Sequence, residues 1–150
     1  MKTKTLAVIS SAALIPASLT AGTGTAHART QTQPVGAWNL SVTVNGESHS
    51  SRISFTSAGK VCLATEVSSG RGYWWKTGSD TFRWVVKEVF QPLPGLPGHI
   101  LIDQQATQSG AAFTSTGTTY VYDTEGELIG TSNPSVVGTR VSTTPDASCT

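Results

Sequence analysis

No part of this sequence reaches the roughly 20 apolar residues that a helix needs to cross a bilayer. The longest apolar region, Leu6 to Leu19, is broken by Pro16. Charge is also scarce: Lys, Arg, Asp and Glu make up 13% of the 150 residues, 10 basic against 9 acidic. These charges are scattered along the chain. They form neither the basic stripe that nucleic acid requires nor a polybasic segment for anionic lipid. No nucleic-acid partner is therefore expected. The sequence has no Gly-x-Ser-x-Gly nucleophile elbow, no Gly-Lys-Ser/Thr phosphate loop, and neither His-Glu-x-x-His nor Cys-x-x-Cys metal spacing. Hydrolase, nucleotide-binding and metal-dependent readings lose their usual signatures, and no cofactor or metal is expected.

Cysteine is rare, with only Cys62 and Cys149. An even count in an exported chain favours a disulfide between them, and closing so long a loop stabilises by about 4 kcal/mol on chain-entropy grounds. Two unpaired thiols are the alternative. Export is expected from the first residues. Lys2 and Lys4 give a positive start, the apolar region follows, and Ala26-His27-Ala28 is a small-residue cleavage site. A signal peptide over 1–28 would leave a soluble, secreted protein with net charge −1. Residues 29–35 are polar and read as a disordered lead-in, 36–143 as a single domain, and 144–150 as an irregular tail.

What fills 36–143 is alternation. Trp38, Leu40, Val42 and Val44 alternate with polar residues, and Asn45-Gly46, the strongest two-residue hairpin signal, ends the run. The return strand places His49, Ser51, Ile53 and Phe55 on one face. Further strands are read at Val61–Val67, Tyr73–Lys76, Phe82–Phe90, His99–Thr107, Ala111–Asp123, Leu128–Thr131 and Val136–Thr143. Ser68–Gly72 reads as a flexible Ser/Gly/Arg loop. Pro92–Gly98, with three prolines, cannot lie inside a sheet and is the one apolar loop. Eight or nine short antiparallel strands joined by tight turns favour an all-β up-and-down meander closed into a barrel over a sandwich, because closure removes both edges. A monomer is expected, since Arg52, Arg83 and Lys87 on outward faces discourage edge pairing.

Gly36-Ala37-Trp38 opening the first strand, with Arg140 in the last, resembles the calycin group and lipocalins in particular. The resemblance implies that the Arg140 guanidinium stacks on the Trp38 indole and joins first strand to last. Such a contact contributes roughly 0.5–2 kcal/mol. The chain lacks the helix that lipocalins carry before their final strand, and it is also similar to the small allene oxide cyclase type of barrel.

An eight-stranded barrel is either filled by side chains or just wide enough for one small ligand. Phe55, Trp75, Phe82, Trp84, Glu88 and Phe113 are the candidate lining residues. Glu88 shares a face with Phe82, Trp84, Val86 and Phe90. There it would either be desolvated, and so able to serve as acid, base or polar anchor, or sit where the strand leaves the core with its head in water. His49 and His99, each at a strand start, are the other candidates for proton transfer, His99 with Asp103 in the same phase. Three functions follow. The first is a secreted module binding a small apolar or amphipathic molecule. The second is a cyclase or isomerase using the same interior. The third is an inhibitor or interaction protein presenting Pro92–Gly98 or Gly70-Arg71-Gly72.

Overall fold

The computed structural model describes residues 33–150. The signal peptide expected over 1–28, with residues 29–32, therefore lies outside the described residues. Nine strands follow one another: β1 (Gly36–Val44), β2 (Glu47–Phe55), β3 (Lys60–Ala64), β4 (Ser68–Lys76), β5 (Thr81–Phe90), β6 (His99–Ser109), β7 (Ala112–Tyr122), β8 (Leu128–Ser132) and β9 (Ser135–Ser142). Each of β1 to β7 pairs antiparallel with its successor, β7 pairs with β9, and β9 returns to β1. The sheet is a closed antiparallel barrel, as the alternating pattern implied, and not a sandwich.

β8 and β9 behave as one interrupted strand. Both run antiparallel to β7, with Thr119 opposite Ser132 and Thr116 opposite Ser135. The break falls at Asn133-Pro134, where the missing Pro134 N–H cannot join the ladder. Counted this way, eight strands close the barrel. Asn45 (φ 51°) and Gly46 (φ 85°) both take the left-handed conformation that the tight β1–β2 turn requires.

The Ser/Gly run at 68–72 is a correction to the sequence reading: it is the first half of β4, pairing with β5 from Ser68 onward and with β3 from Ser69 onward. Its glycines are there for close approach. A Cβ on Gly72 would lie 1.8 Å from the Val85 carbonyl oxygen. Backbone crowding where the sheet coils tightly explains a strand whose composition mimics a loop.

At the end where β1 starts, the interior is solid. Trp38, Phe55, Phe82 and Phe113 are all essentially inaccessible. They meet edge to face, with centroids 5.0 Å apart for Trp38–Phe113 and 5.4 Å for both Phe55–Phe82 and Phe82–Phe113. Such pairs contribute about 0.5–1.5 kcal/mol each beyond their burial. Phe113 lies against Gly138, where a Cβ would come within 2.3 Å of its ring. Trp38 and Arg140 face each other across the β1–β9 seam, with the guanidinium carbon 4.5 Å from the indole centroid.

The chain just before β1 caps this end. The Trp38 indole donates to the Pro34 carbonyl (2.7 Å) and Arg140 to that of Gln33 (2.6 Å). Pro34 is fully buried, so the described end of the segment read as disordered is packed into place. Its composition is polar, but proline has no N–H to satisfy and its carbonyl is paired with the Trp38 indole, so it can be buried.

The tail after β9 crosses the outside of β2 and β3. Arg52 donates two hydrogen bonds to Asp146, each 2.9 Å, and Ser54 adds a third. The Arg52 guanidinium holds the Asp146 carboxyl below the usual carboxylate range. A short 3-10 turn, Ala147–Cys149, then brings Cys149 to Cys62, and the two are disulfide-bonded with Cα atoms 5.4 Å apart. Among the described residues no helix is long and apolar enough to cross a membrane.

Candidate binding cavity

Above the aromatic layer the barrel is hollow. A cavity of about 770 Å³ opens at the opposite end, between the β1–β2 hairpin, the 65–67 turn and the 91–98 loop. This volume falls within the range of small-molecule sites. The change from solid to hollow follows side-chain size along each strand. On β1 the inward series runs from Trp38 to Leu40, Val42 and Val44, and on β5 bulky Phe82 and Trp84 lie below Val86 and Glu88. Leu40, Val42, Leu63, Ile100, Ile102 and Val136 form most of the wall. Leu96 and Pro97 lean in at the rim, which gives the proline-rich loop a role as part of the cup.

Trp84 and Gln104, directly opposite each other on β5 and β6, make the floor. Gln104 is completely buried and accepts a hydrogen bond from Ser115 Oγ at 2.9 Å. Its Nε2 has no partner, nor has Trp84 Nε1. Unpaired buried donors are uncommon in folded proteins and each costs about 1–3 kcal/mol. Ser51 Oγ, on the β2 wall, is likewise unpaired.

Glu88 stands on the wall, opposite Gly70 on one side and Ile100 on the other. Only 6% of its surface is exposed. Its carboxyl accepts a hydrogen bond from Ser68 Oγ, which in turn is 2.5 Å from Thr65 Oγ1. Burial pushes the Glu88 carboxyl above its ordinary range, and the Ser68 hydrogen bond offsets only part of that. Of the two settings read for this residue, the buried one holds. The strand continues beyond Glu88 to Phe90, and Leu96 and Pro97 of the following loop line the same cavity.

The remaining candidates divide. Trp84 and Glu88 line the cavity, and His49 sits exposed at its rim. Phe55, Phe82 and Phe113 do not reach it; they are the packed layer beneath the floor. Trp75 is on the outside, 43% exposed, with the Arg83 guanidinium 5.7 Å from its ring centroid. Its neighbour Trp74 points in, because Ser68, Gly70, Gly72 and Trp74 share the inward phase of β4. His99 also faces outward, stacked on Tyr122 with centroids 4.6 Å apart, while Asp103 is held by Arg83 on the outer surface. These two therefore do not form a proton-transfer pair at the mouth.

Gln104, Ser68 and Thr119 went unread in the sequence. The available signal was phase: Ile100, Ile102, Gln104 and Ala106 share the inward face of β6, so Gln104 is a polar residue in an apolar series. Charges spread through the sequence also gather in the fold. Lys60, Arg71, Arg83 and Lys87 lie together on the outer face of β3–β5. Among the described residues no three His, Cys, Asp or Glu side chains group as a metal site.

Fold and cavity together define a small closed β-barrel with one packed end and one open, apolar cup. Compared with family models, with curated proteins and with solved structures, the chain matches none. Its functional reading therefore rests on the geometry.

Proposed function

We propose that this protein binds a small, mainly apolar molecule in the open half of the barrel. The carrying observation is the cavity of about 770 Å³, walled by aliphatic side chains above a rigid aromatic floor. Every 100 Å² or so of apolar ligand surface removed from water contributes about 2.5 kcal/mol, before the cost of immobilising the ligand. A preformed cup keeps that cost low. The Cys62–Cys149 disulfide fits an oxidising compartment and supports a secreted role. Closure of β1 onto β9, with Arg140 over Trp38, supports a lipocalin-like kinship.

Native mass spectrometry and thermal shift against a lipophilic extract of the producing organism test the proposal. A retained species, and a rise of roughly 10 °C at a hundredfold excess over Kd, are expected. A folded protein that retains nothing and does not shift would refute it.

Glu88 favours a second reading, a cyclase or isomerase. A desolvated acid fed by Ser68 and Thr65 in an apolar cup could move a proton while the walls hold a reactive conformer. Turnover of a polyene or epoxide, lost in Glu88→Gln, would establish it; unchanged turnover in that variant would remove Glu88 from the chemistry.

A further inference from the structure

We infer that the cup selects an uncharged lipophile carrying a hydrogen-bond-accepting oxygen, such as a ketone, lactone or ether, over a carboxylate-headed lipid of the same length. This rests on the binding reading above and adds the chemistry of the ligand's polar group.

Three observations carry the inference. The floor holds two buried donors without partners, Trp84 Nε1 and Gln104 Nε2, on residues directly opposite each other in the β5–β6 pair, so a ligand oxygen meets them only by displacing the side chains that cover them. A ligand oxygen reaching this layer would satisfy a group that the protein leaves unpaired, which an ammonium group cannot do. Next, no Lys or Arg lines the cavity, and its one deeply buried ionisable group is Glu88. A carboxylate inside would lose its hydration without gaining a counter-charge.

The third observation is the entrance. Glu47, Glu66, Asp123, Glu125 and Glu127 all belong to the turns and strand ends at the open end. Lys60, Arg71 and Lys87, with Arg83 paired to Asp103, lie on the outer flank of β3–β5 instead. The field at the mouth thus opposes an incoming anion before desolvation begins. An amine would be drawn to the mouth, but at the floor it would leave both donors unpaired.

Calorimetric titration at pH 7 with 2-nonanone, octanoate and octylamine separates these cases. The ketone is expected to bind at least tenfold more tightly than octanoate, and more tightly than octylamine. Trp84→Phe and Gln104→Leu should each weaken ketone binding about three- to tenfold while leaving octanoate unchanged. Trp84→Phe keeps an aromatic floor, so it remains informative if Gln104→Leu fails to fold. Octanoate or octylamine binding as well as the ketone, or ketone affinity unmoved by both substitutions, would overturn the selectivity while leaving the binding function intact. A folded protein that takes up none of the three would overturn both.

Discussion

Glu88→Gln should stabilise the protein at alkaline pH and leave it unchanged near pH 4. Glu88 is buried, with 6% of its surface exposed, and its carboxyl pKa is raised, chiefly by desolvation, so the folded state prefers it protonated. At about pH 4 and below, under the unfolded pKa, the acid is mostly neutral in both states and costs little. As pH rises, the unfolded chain ionises first and gains solvation that the buried group cannot match, so stability falls until the folded-state pKa is passed. Each pH unit between the two values corresponds to about 1.4 kcal/mol.

For a domain of the 118 residues from 33 to 150, that is roughly 5 °C in Tm per pH unit. Glutamine keeps the shape and the acceptor for Ser68 but cannot ionise. Thermal melts of both proteins from pH 4 to 8 should start together and diverge, the variant ending higher. Asp146 works in the opposite direction: its stabilising pairing with Arg52 is lost as pH falls through its lowered pKa, but equally in both proteins. Parallel curves across the range, or a variant less stable than the parent at pH 8, would refute the buried-acid reasoning.

Phe113→Ala, which empties the centre of the aromatic layer, should cost about 3–5 kcal/mol by chemical denaturation and leave the cup's wall residues in place. Replacing Cys62 and Cys149 together with serine should remove about 4 kcal/mol, since the bond spans 87 residues, and reduction of the parent should produce a similar loss in the same denaturation assay. Val42→Phe projects a ring into the open half without touching the packed end, so ligand affinity should fall at least tenfold by fluorescence titration with little change in Tm.

Much of the architecture could be read from the residues because a strand's period of two survives in the alternation itself. Asn45-Gly46 marked the first hairpin, and Trp38 and Arg140 marked the two strands that meet. Whether the interior is filled or hollow could not be read, since Phe82 and Val86 occupy equivalent inward positions and only the register shows which bulky side chains share a layer. Phe55, Phe82 and Phe113 belong to one such layer, so they fill the barrel and do not line a pocket.

A shift of one residue in phase accounts for Trp75. The phase of β4 is hidden by its glycines, and without Ser68–Gly72 recognised as strand, nothing distinguished Trp74 from Trp75. Glu88 was visible as a carboxylate among aromatics. Its burial depends on the register that sets it between Gly70 and Ile100 with Ser68 on its carboxyl, which alternation does not encode.

The indole N–H signals in a two-dimensional NMR spectrum give the most direct test of the cup. Trp38 and Trp74 are tied to the Pro34 and Thr56 carbonyls, Trp75 lies outside, and Trp84 alone is both buried and unpaired. On titration with 2-nonanone the Trp84 signal, assigned by its absence in Trp84→Phe, should move downfield while those of Trp38 and Trp74 stay fixed. A spectrum in which Trp84 is silent and only Trp75 responds would place binding on the outer face and contradict a ligand-holding interior.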